Sequence, residues 1–302
     1  VANEILTSGI GDLIAGEVLA AEYLMLLADR DSSVLNHPAI MRATATSPHS
    51  NVVRVPHLGL GGYDLLTDVT PGSEVANTAF SDGSTDVTIA ARAKRYTATD
   101  LAKYVAAGKL GPAMFAQDLV ISVAQTMISL IANVGDDFTT TFSTTGVALV
   151  WSKVLEAKAA LGVAKANGPL MAIFSPVQWG HLEADALGLG VLPAQTNAGI
   201  VNAGLSAYKG RYFGIDCYVS SHVPTANAGA DRAGCLLSPG AIAWADAQMP
   251  SDGDPNIADF GTARLERVRQ GNFLSTSYVF SHHGGCAKAI DAAGVSIISD
   301  AG

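Results

Sequence analysis

One stretch of this chain, "GPAMFAQDLVISVAQTMISLIANVG" at residues 111–135, constrains the fold more than any other. Phe115, Leu119, Val123, Met127, Leu130 and Val134 recur at spacings of three or four, which puts them on one stripe of an α-helix. Pro112 is pre-set for the first turn, and Gly135 is expected to end the run. At 1.5 Å per residue such a helix is roughly 35 Å long. Gln125 and Asn133 interrupt the apolar segment and Asp118 precedes it, so it reads as a buried helix rather than a membrane span.

The segments before it are of a different kind. Residues 8–29 read as a helix, with Ile10, Leu13, Ile14, Val18, Leu24 and Leu27 toward one side. "DRDSSVLNHPAIMRATATSPHSN" has neither period and reads as an extended arm. From Val52 to Tyr96 the pattern is that of strands. "VVRVPHL" is short and β-branched, and "TDVTIAARAK" alternates, with Val87, Ile89, Ala91 and Ala93 on one side. Pro71-Gly72 and Asp82-Gly83 are expected turns. This region holds few large apolar residues, so it cannot build a core of its own. A helix at about Asp100 to Ala107, capped by Thr99, leads into the long one.

The second half alternates helix and strand. Ser152 is the expected cap of a helix carrying Leu155 and Leu161, and "PLMAIF" reads as a buried strand. "SPVQWGHLEADALG" opens with a Ser175/Gln178 capping box around Pro176 and ends at Gly188. "YFGIDCYVSSHVP" alternates as one strand, with Phe213, Ile215, Cys217 and Val219 opposite Gly214, Asp216, Tyr218 and Ser220. "AGCLLSPGAIAWA", an acidic loop, a long strand near Phe273 to Ser281 and a terminal "GVSIISD" strand follow. No repeat period appears, and the order suggests an α+β fold.

Composition narrows the function. Charged residues are only 15% of the 302, against 49% hydrophobic. A monomer covers its surface with Lys and Glu, so the low charge points to assembly. The net charge of −9 argues against tight, sequence-independent nucleic-acid binding. Three cysteines make no disulfide framework, and the start of the chain shows no secretory signal.

No catalytic or metal template is complete. Cys217, His222 and Cys235 give C-x4-H-x12-C, with Cys286 near His282 and His283, and no zinc site has that spacing. "HLE" at His181 to Glu183 lacks the P-C-x-x-C partner of a zinc deaminase. "DGDPN" at Asp252 to Asn256 begins like a calcium loop. However, Ile257 replaces the turn glycine, and Ala263 stands where the bidentate Glu belongs. The "HHGG" stretch through His283 and Gly285 has no G-x-S-x-G elbow to serve, and "GLG" at Gly188 to Gly190 is no dinucleotide fingerprint. The expectation is therefore no catalytic, cofactor-binding or metal residues, and no cofactor. The thiol at Cys217 is expected to be a small core group.

The ordered set of segments resembles the major capsid proteins of tailed double-stranded DNA phages, which share the Hong Kong 97-like shell fold. "NVVRVPHL" through "AARAKRYTATDLAKYV" is similar to their E-loop and its exit, and the long helix is similar to their spine helix. "VWSKVLEAKAALG" with "PLMAIFSPVQWGHLEADAL" resembles the opening of their central A domain. "YKGRYFGIDCYVSSHVPT" and "AGCLLSPGAIAWADAQMP" resemble that domain's late strands. "GNFLSTSYVFSHHGGCAKAIDAAGVSIISD" resembles the closing strands of the peripheral domain.

The resemblance implies an N-terminal arm at 1–50, an E-loop at 51–98, and a peripheral domain with the spine helix at 99–147. The A domain would then take 148–258 and the return strands 259–302. It implies a non-enzymatic subunit that self-assembles into hexamers and pentamers of an icosahedral virion shell around DNA, built in the host cytoplasm, with no membrane. No basic helical extension precedes the arm, so the expectation is either a separate scaffolding protein or a scaffolding segment that was cleaved; a portal and decoration proteins are the other partners the resemblance implies. The acidic charge suits a container that should not grip its DNA. Lys94, Lys103 and Lys109 have no identifiable crosslinking partner. An encapsulin-type compartment and a soluble α+β enzyme are the alternatives.

Overall fold

A computed structural model describes residues 32–45, 51–58, 82–100, 112–188, 208–247, 257–260 and 263–301. The first half holds α1 (Ser32–Leu35), β1 (Ile40–Ala45), β2 (Val52–Leu58), β3 (Asp82–Thr88), β4 (Ala90–Thr99), α2 (Pro112–Asp136) and β5 (Thr141–Thr144). Next come α3 (Trp151–Val163), β6 (Leu170–Phe174), α4 (Pro176–Gly188), β7 (Tyr208–Tyr212), β8 (Ile215–Val219) and β9 (Thr225–Ala226). The chain continues through β10 (Asp231–Leu237), β11 (Ile242–Ala247), β12 (Ile257–Phe260), β13 (Ala263–Gln270), β14 (Ser275–Lys288) and β15 (Gly294–Asp300).

Two sheets organise these elements. One runs β1-β11-β14-β13-β12, with β4 also paired to β14; the other runs β5-β15-β10-β6-β8-β7, with β9 on β10. β2 and β3 pair separately as a two-stranded ribbon. The α+β expectation holds.

All five residues of β6 are buried, as a continuous apolar run between β8 and β10 requires. The capping box at the start of α4 forms as the sequence predicts. Ser175 N donates to Gln178 Oε1 at 3.0 Å, and Gln178 N donates to Ser175 Oγ at 3.1 Å. The same Gln178 is buried and its Nε2 donates to Ile297 O and Ser299 Oγ of β15, so the cap also ties α4 to the sheet.

α2 buries Val123, Met127, Ile128, Ile131 and Ala132, while Leu130 and Val134 are half-buried. The side chains of Phe115 and Leu119 lie outside the described residues. Gly135 belongs to the helix instead of ending it. A Cβ there would sit 2.5 Å from Cys235 Sγ, so the glycine is set by how closely α2 approaches β10.

Several other expectations need correction. "TDVTIAARAK" is two strands, because the backbone leaves the ladder at Ile89, whose N–H donates to Asn51 O. β3 pairs with β2, whereas β4 runs along β14 from Thr99↔Ser275 to Ala90↔Gly284. Asp82-Gly83 is the start of β3 rather than a turn. Ser152 lies inside α3 and caps nothing; Val150 is the cap residue, and Trp151 N is satisfied by Asp185 Oδ2 at 2.8 Å. Leu155 is 38% exposed, since the buried face is Trp151, Val154, Ala157 and Leu161.

The alternating "YFGIDCYV" stretch is a hairpin. Phe213 and Gly214 have φ of 51° and 81°, the positive values that a two-residue primed turn needs. β15 joins the sheet of β6 and β10, and β11 joins that of β14. The arm contains a strand as well, with β1 running parallel to β11. β5, β12 and β13 have no counterpart among the strands expected from the sequence. The helix at residues 8–29, most of that at Asp100 to Ala107, and the Pro71-Gly72 turn lie outside the described residues.

Candidate functional site where the hairpin crosses the sheet

β14 spans 14 residues and carries the features that fix the ribbon to the body. At Gly285 a Cβ would stand 2.1 Å from Thr88 O, so the exit of the ribbon passes directly over bare backbone there. Arg92 Nη1 donates to Gly284 O at 2.7 Å and fastens β4 at the same point. Val55 and Val87 of the ribbon are buried against Ala243 and Ala245 of β11. The root of the ribbon is thus seated on its own chain, on small residues that let it come close.

Next to this crossing lies a buried polar network. Asp246 on β11 is 2% exposed; it accepts from Trp244 Nε1 at 2.6 Å and from Arg42 Nη2 at 3.1 Å. His282 Nε2 is 3.8 Å from Asp246 Oδ1, beyond a hydrogen bond. Burial is the main cause that lowers the His282 pKa to about 4, against the opposing pull of Asp246. A second carboxylate holds the arm in a similar way. Asp216 on β8 accepts from Tyr208 Oη at 3.2 Å and faces His37 Nε2 at 3.4 Å. With Val34, Leu35, Ala39 and Ile40 buried, residues 34–45 are anchored within their own subunit.

The opposite end of β14 makes the hairpin turn to β13. Phe273 is 74% exposed and Leu274 66%, with Leu274 held at a φ of 43°. Arg269 and Asp100 brace this turn through two hydrogen bonds of 2.7 and 2.6 Å. Two adjacent large apolar side chains thus stand exposed at the tip of this hairpin.

None of the sequence's chemical candidates converges. Cys217 and Cys235 are fully buried, and burial pushes each thiol up to about 12. Cys286, half-buried beside Arg92 in charge terms, is pushed to about 12 for the same reason. His222 is exposed in the loop after β8, off the strand that carries Cys217. Glu183 of "HLE" accepts from Trp179 Nε1, and Asp252 to Asn256 lies outside the described residues. Among the described residues no three His, Cys, Asp or Glu side chains are placed to hold a metal ion, and no helix is long and apolar enough to cross a membrane. Sequence reasoning missed the Asp246 network. Its only trace is the "WAD" spacing, which puts Trp244 and Asp246 on one face of a strand.

These two sheets, the long α2 and the ribbon seated on β14 define the Hong Kong 97-like shell fold, the fold of phage capsid proteins. No protein-family model and no curated protein sequence matches the chain. Solved structures do. The capsid of Ralstonia phage GP4 superposes with a TM-score of 0.62 at 13% identity, covering 87% of each chain. Mycobacterium phage Che8 gives 0.54 at 17% identity, covering 82% of this chain and 84% of that one. The SrpI encapsulin of Synechococcus elongatus PCC 7942 gives 0.55 at 13%, covering 86% and 84%.

Proposed function

We propose that this chain is the major capsid subunit of a tailed double-stranded DNA phage, self-assembling into hexamers and pentamers of an icosahedral shell. The observation that carries the reading is the fold's likeness to the Ralstonia phage GP4 capsid over 87% of both chains. The exposed Phe273-Leu274 tip and the ribbon supported at its root supply surfaces for neighbours. The role is structural: the subunit has no enzymatic activity and no cofactor, and it works from the virion shell after assembly in the host cytoplasm. The segment bounds 1–50, 51–98, 99–147, 148–258 and 259–302 are proposed for arm, E-loop, peripheral domain, A domain and return strands. A separate scaffolding protein, a portal and decoration proteins are the proposed partners.

A second reading has its own support, since the SrpI encapsulin shares the fold to a similar degree. Electron microscopy of the purified protein, with nuclease protection and cargo analysis, separates the two. Closed particles that protect DNA are expected. Particles filled with protein favour the compartment, and a small stable oligomer under all assembly conditions overturns both.

A further inference from the structure

The turn that leads into β1 is built around a single imidazole. In "NHPAI", His37 N donates to Val34 O at 3.1 Å and Ile40 N donates to His37 O at 2.9 Å, so the backbone closes over residues 34–40. Pro38 has no N–H, and the next donor, Ala39 N, goes to the ring of His37, 3.1 Å from Nδ1. The turn is seated on the chain entering β11: Gly240 N donates to Pro38 O and Ile242 N to Ala39 O, each at 3.2 Å. Val34, Leu35, Ala39 and Ile40 are buried, and the His37 side chain is 6% exposed.

These contacts fix where the ring carries its proton. An imidazole nitrogen that accepts from an N–H bears no hydrogen, so neutral His37 holds its one proton on Nε2. Nε2 faces Asp216 Oδ2 of β8 at 3.4 Å without a well-formed hydrogen bond, and the other oxygen of Asp216 accepts from Tyr208 Oη of β7. Among the described residues, Asp216 of β8 and Arg211 of β7 are the charged groups that act on His37. Burial lowers its pKa below the ordinary 6.5; Asp216 opposes that shift and Arg211 adds to it. A second proton has one place to go, Nδ1, where it would point at the N–H of Ala39. Two donors then face each other in a buried site, so the turn must open for His37 to become charged.

We propose that the 34–40 end of the arm is an acid-released latch, with His37 as the titrating group and the Ala39 N–H as the contact that protonation breaks. Arg42 takes no part in the release: its guanidinium stays charged and donates to Asp246 at 3.1 Å. β1 therefore remains tied to β11 through Arg42 while the turn before it comes free. The open turn takes up its proton near 6.5 and the closed turn only at lower pH. The latch is thus fully closed above 6.5 and loosens as pH falls below it.

The test is amide hydrogen exchange of the full chain, read by mass spectrometry at pH 7.5 and 5 and expressed as protection factors, so that the intrinsic pH dependence of exchange cancels. One linked proton is worth at most about tenfold per pH unit, and protection of residues 34–40 is expected to fall about tenfold over this range, well beyond the change in β6. In His37→Asn the new side chain accepts the same N–H two residues on, as an Asx turn does, and does not titrate. That variant should match the parent at pH 7.5 and keep its protection at pH 5, whereas His282→Gln should keep the parent's loss. An acid loss that β6 shares in full, that persists in His37→Asn or that disappears in His282→Gln overturns the proposal. The comparison of the turn with β6 in the parent needs no variant, so it decides even where a substitution unfolds the chain.

Discussion

His282 and Cys217 show what burial does to single groups in this molecule. His282 is held neutral, with its pKa lowered from 6.5 to about 4 chiefly by desolvation; Asp246 opposes the shift, while His283 and Arg92 add to it. The unfolded chain takes up this proton near 6.5 and the folded chain only near 4. The stability His282 contributes is therefore fully present above 6.5 and is lost as pH falls from there through about 4. We expect the thermal midpoint of the parent to drop more between pH 7.5 and 5 than that of His282→Gln; parallel curves would rule this out. Cys217 is 0% exposed, and its Sγ is 3.6 Å from Ile215 O. Cys217→Ser is expected to cost about 1–3 kcal/mol in a denaturant titration, because a hydroxyl replaces a thiol in an apolar site. Native protein at pH 8 should resist alkylation at Cys217 and Cys235, checked by mass spectrometry before and after unfolding.

Elements meet where glycine removes the side chain between them. The ribbon of β2 and β3 is too small to be stable alone. It is secured by Val55 and Val87 on β11 and by the crossing of Thr88 over Gly285. Gly285→Ala places a methyl 2.1 Å from a backbone oxygen that cannot rotate away. It should destabilise by about 1–3 kcal/mol and speed amide exchange in β2 and β3 more than in β6 or β10. Uniform exchange across both sheets would show that the crossing is not what holds the ribbon. The core that the ribbon's own residues cannot build is supplied at its root by β11 of the same chain.

At the scale of the whole molecule, what matters is which apolar surface remains once the sheets are packed. Phe273 and Leu274 stand out at the β13–β14 turn, braced by Arg269 and Asp100. Their side chains contribute little to the isolated subunit, so Phe273→Ser with Leu274→Ser should leave its thermal midpoint nearly unchanged. If the proposed shell forms, the same double variant should reduce the yield of large particles in sedimentation at least several-fold. Normal particle yield would remove the tip from the assembly surface.

The residues alone determined what depends on near neighbours in the chain. The 3.6-residue stripe of α2, the unbroken apolar run of β6 and the Ser175/Gln178 box are each settled within about one or two turns of backbone, and they were legible. Tertiary structure decided what depends on approach. Gly135 read as a stop signal, yet it marks the contact of α2 with Cys235; Gly285 carried no structural reading within its incomplete "HHGG" motif, yet it lies beneath Thr88. Ile89 continued an alternating strand on paper, but the ladder changes partner there, from β2 to β14. Asp246 meets Trp244 two residues away, but it gathers Arg42 and His282 from positions far apart in sequence, and a pairing of that range leaves no local period. Local periodicity follows from the backbone's own repeat; long-range contact follows from the packing of finished elements, and no window of sequence contains it.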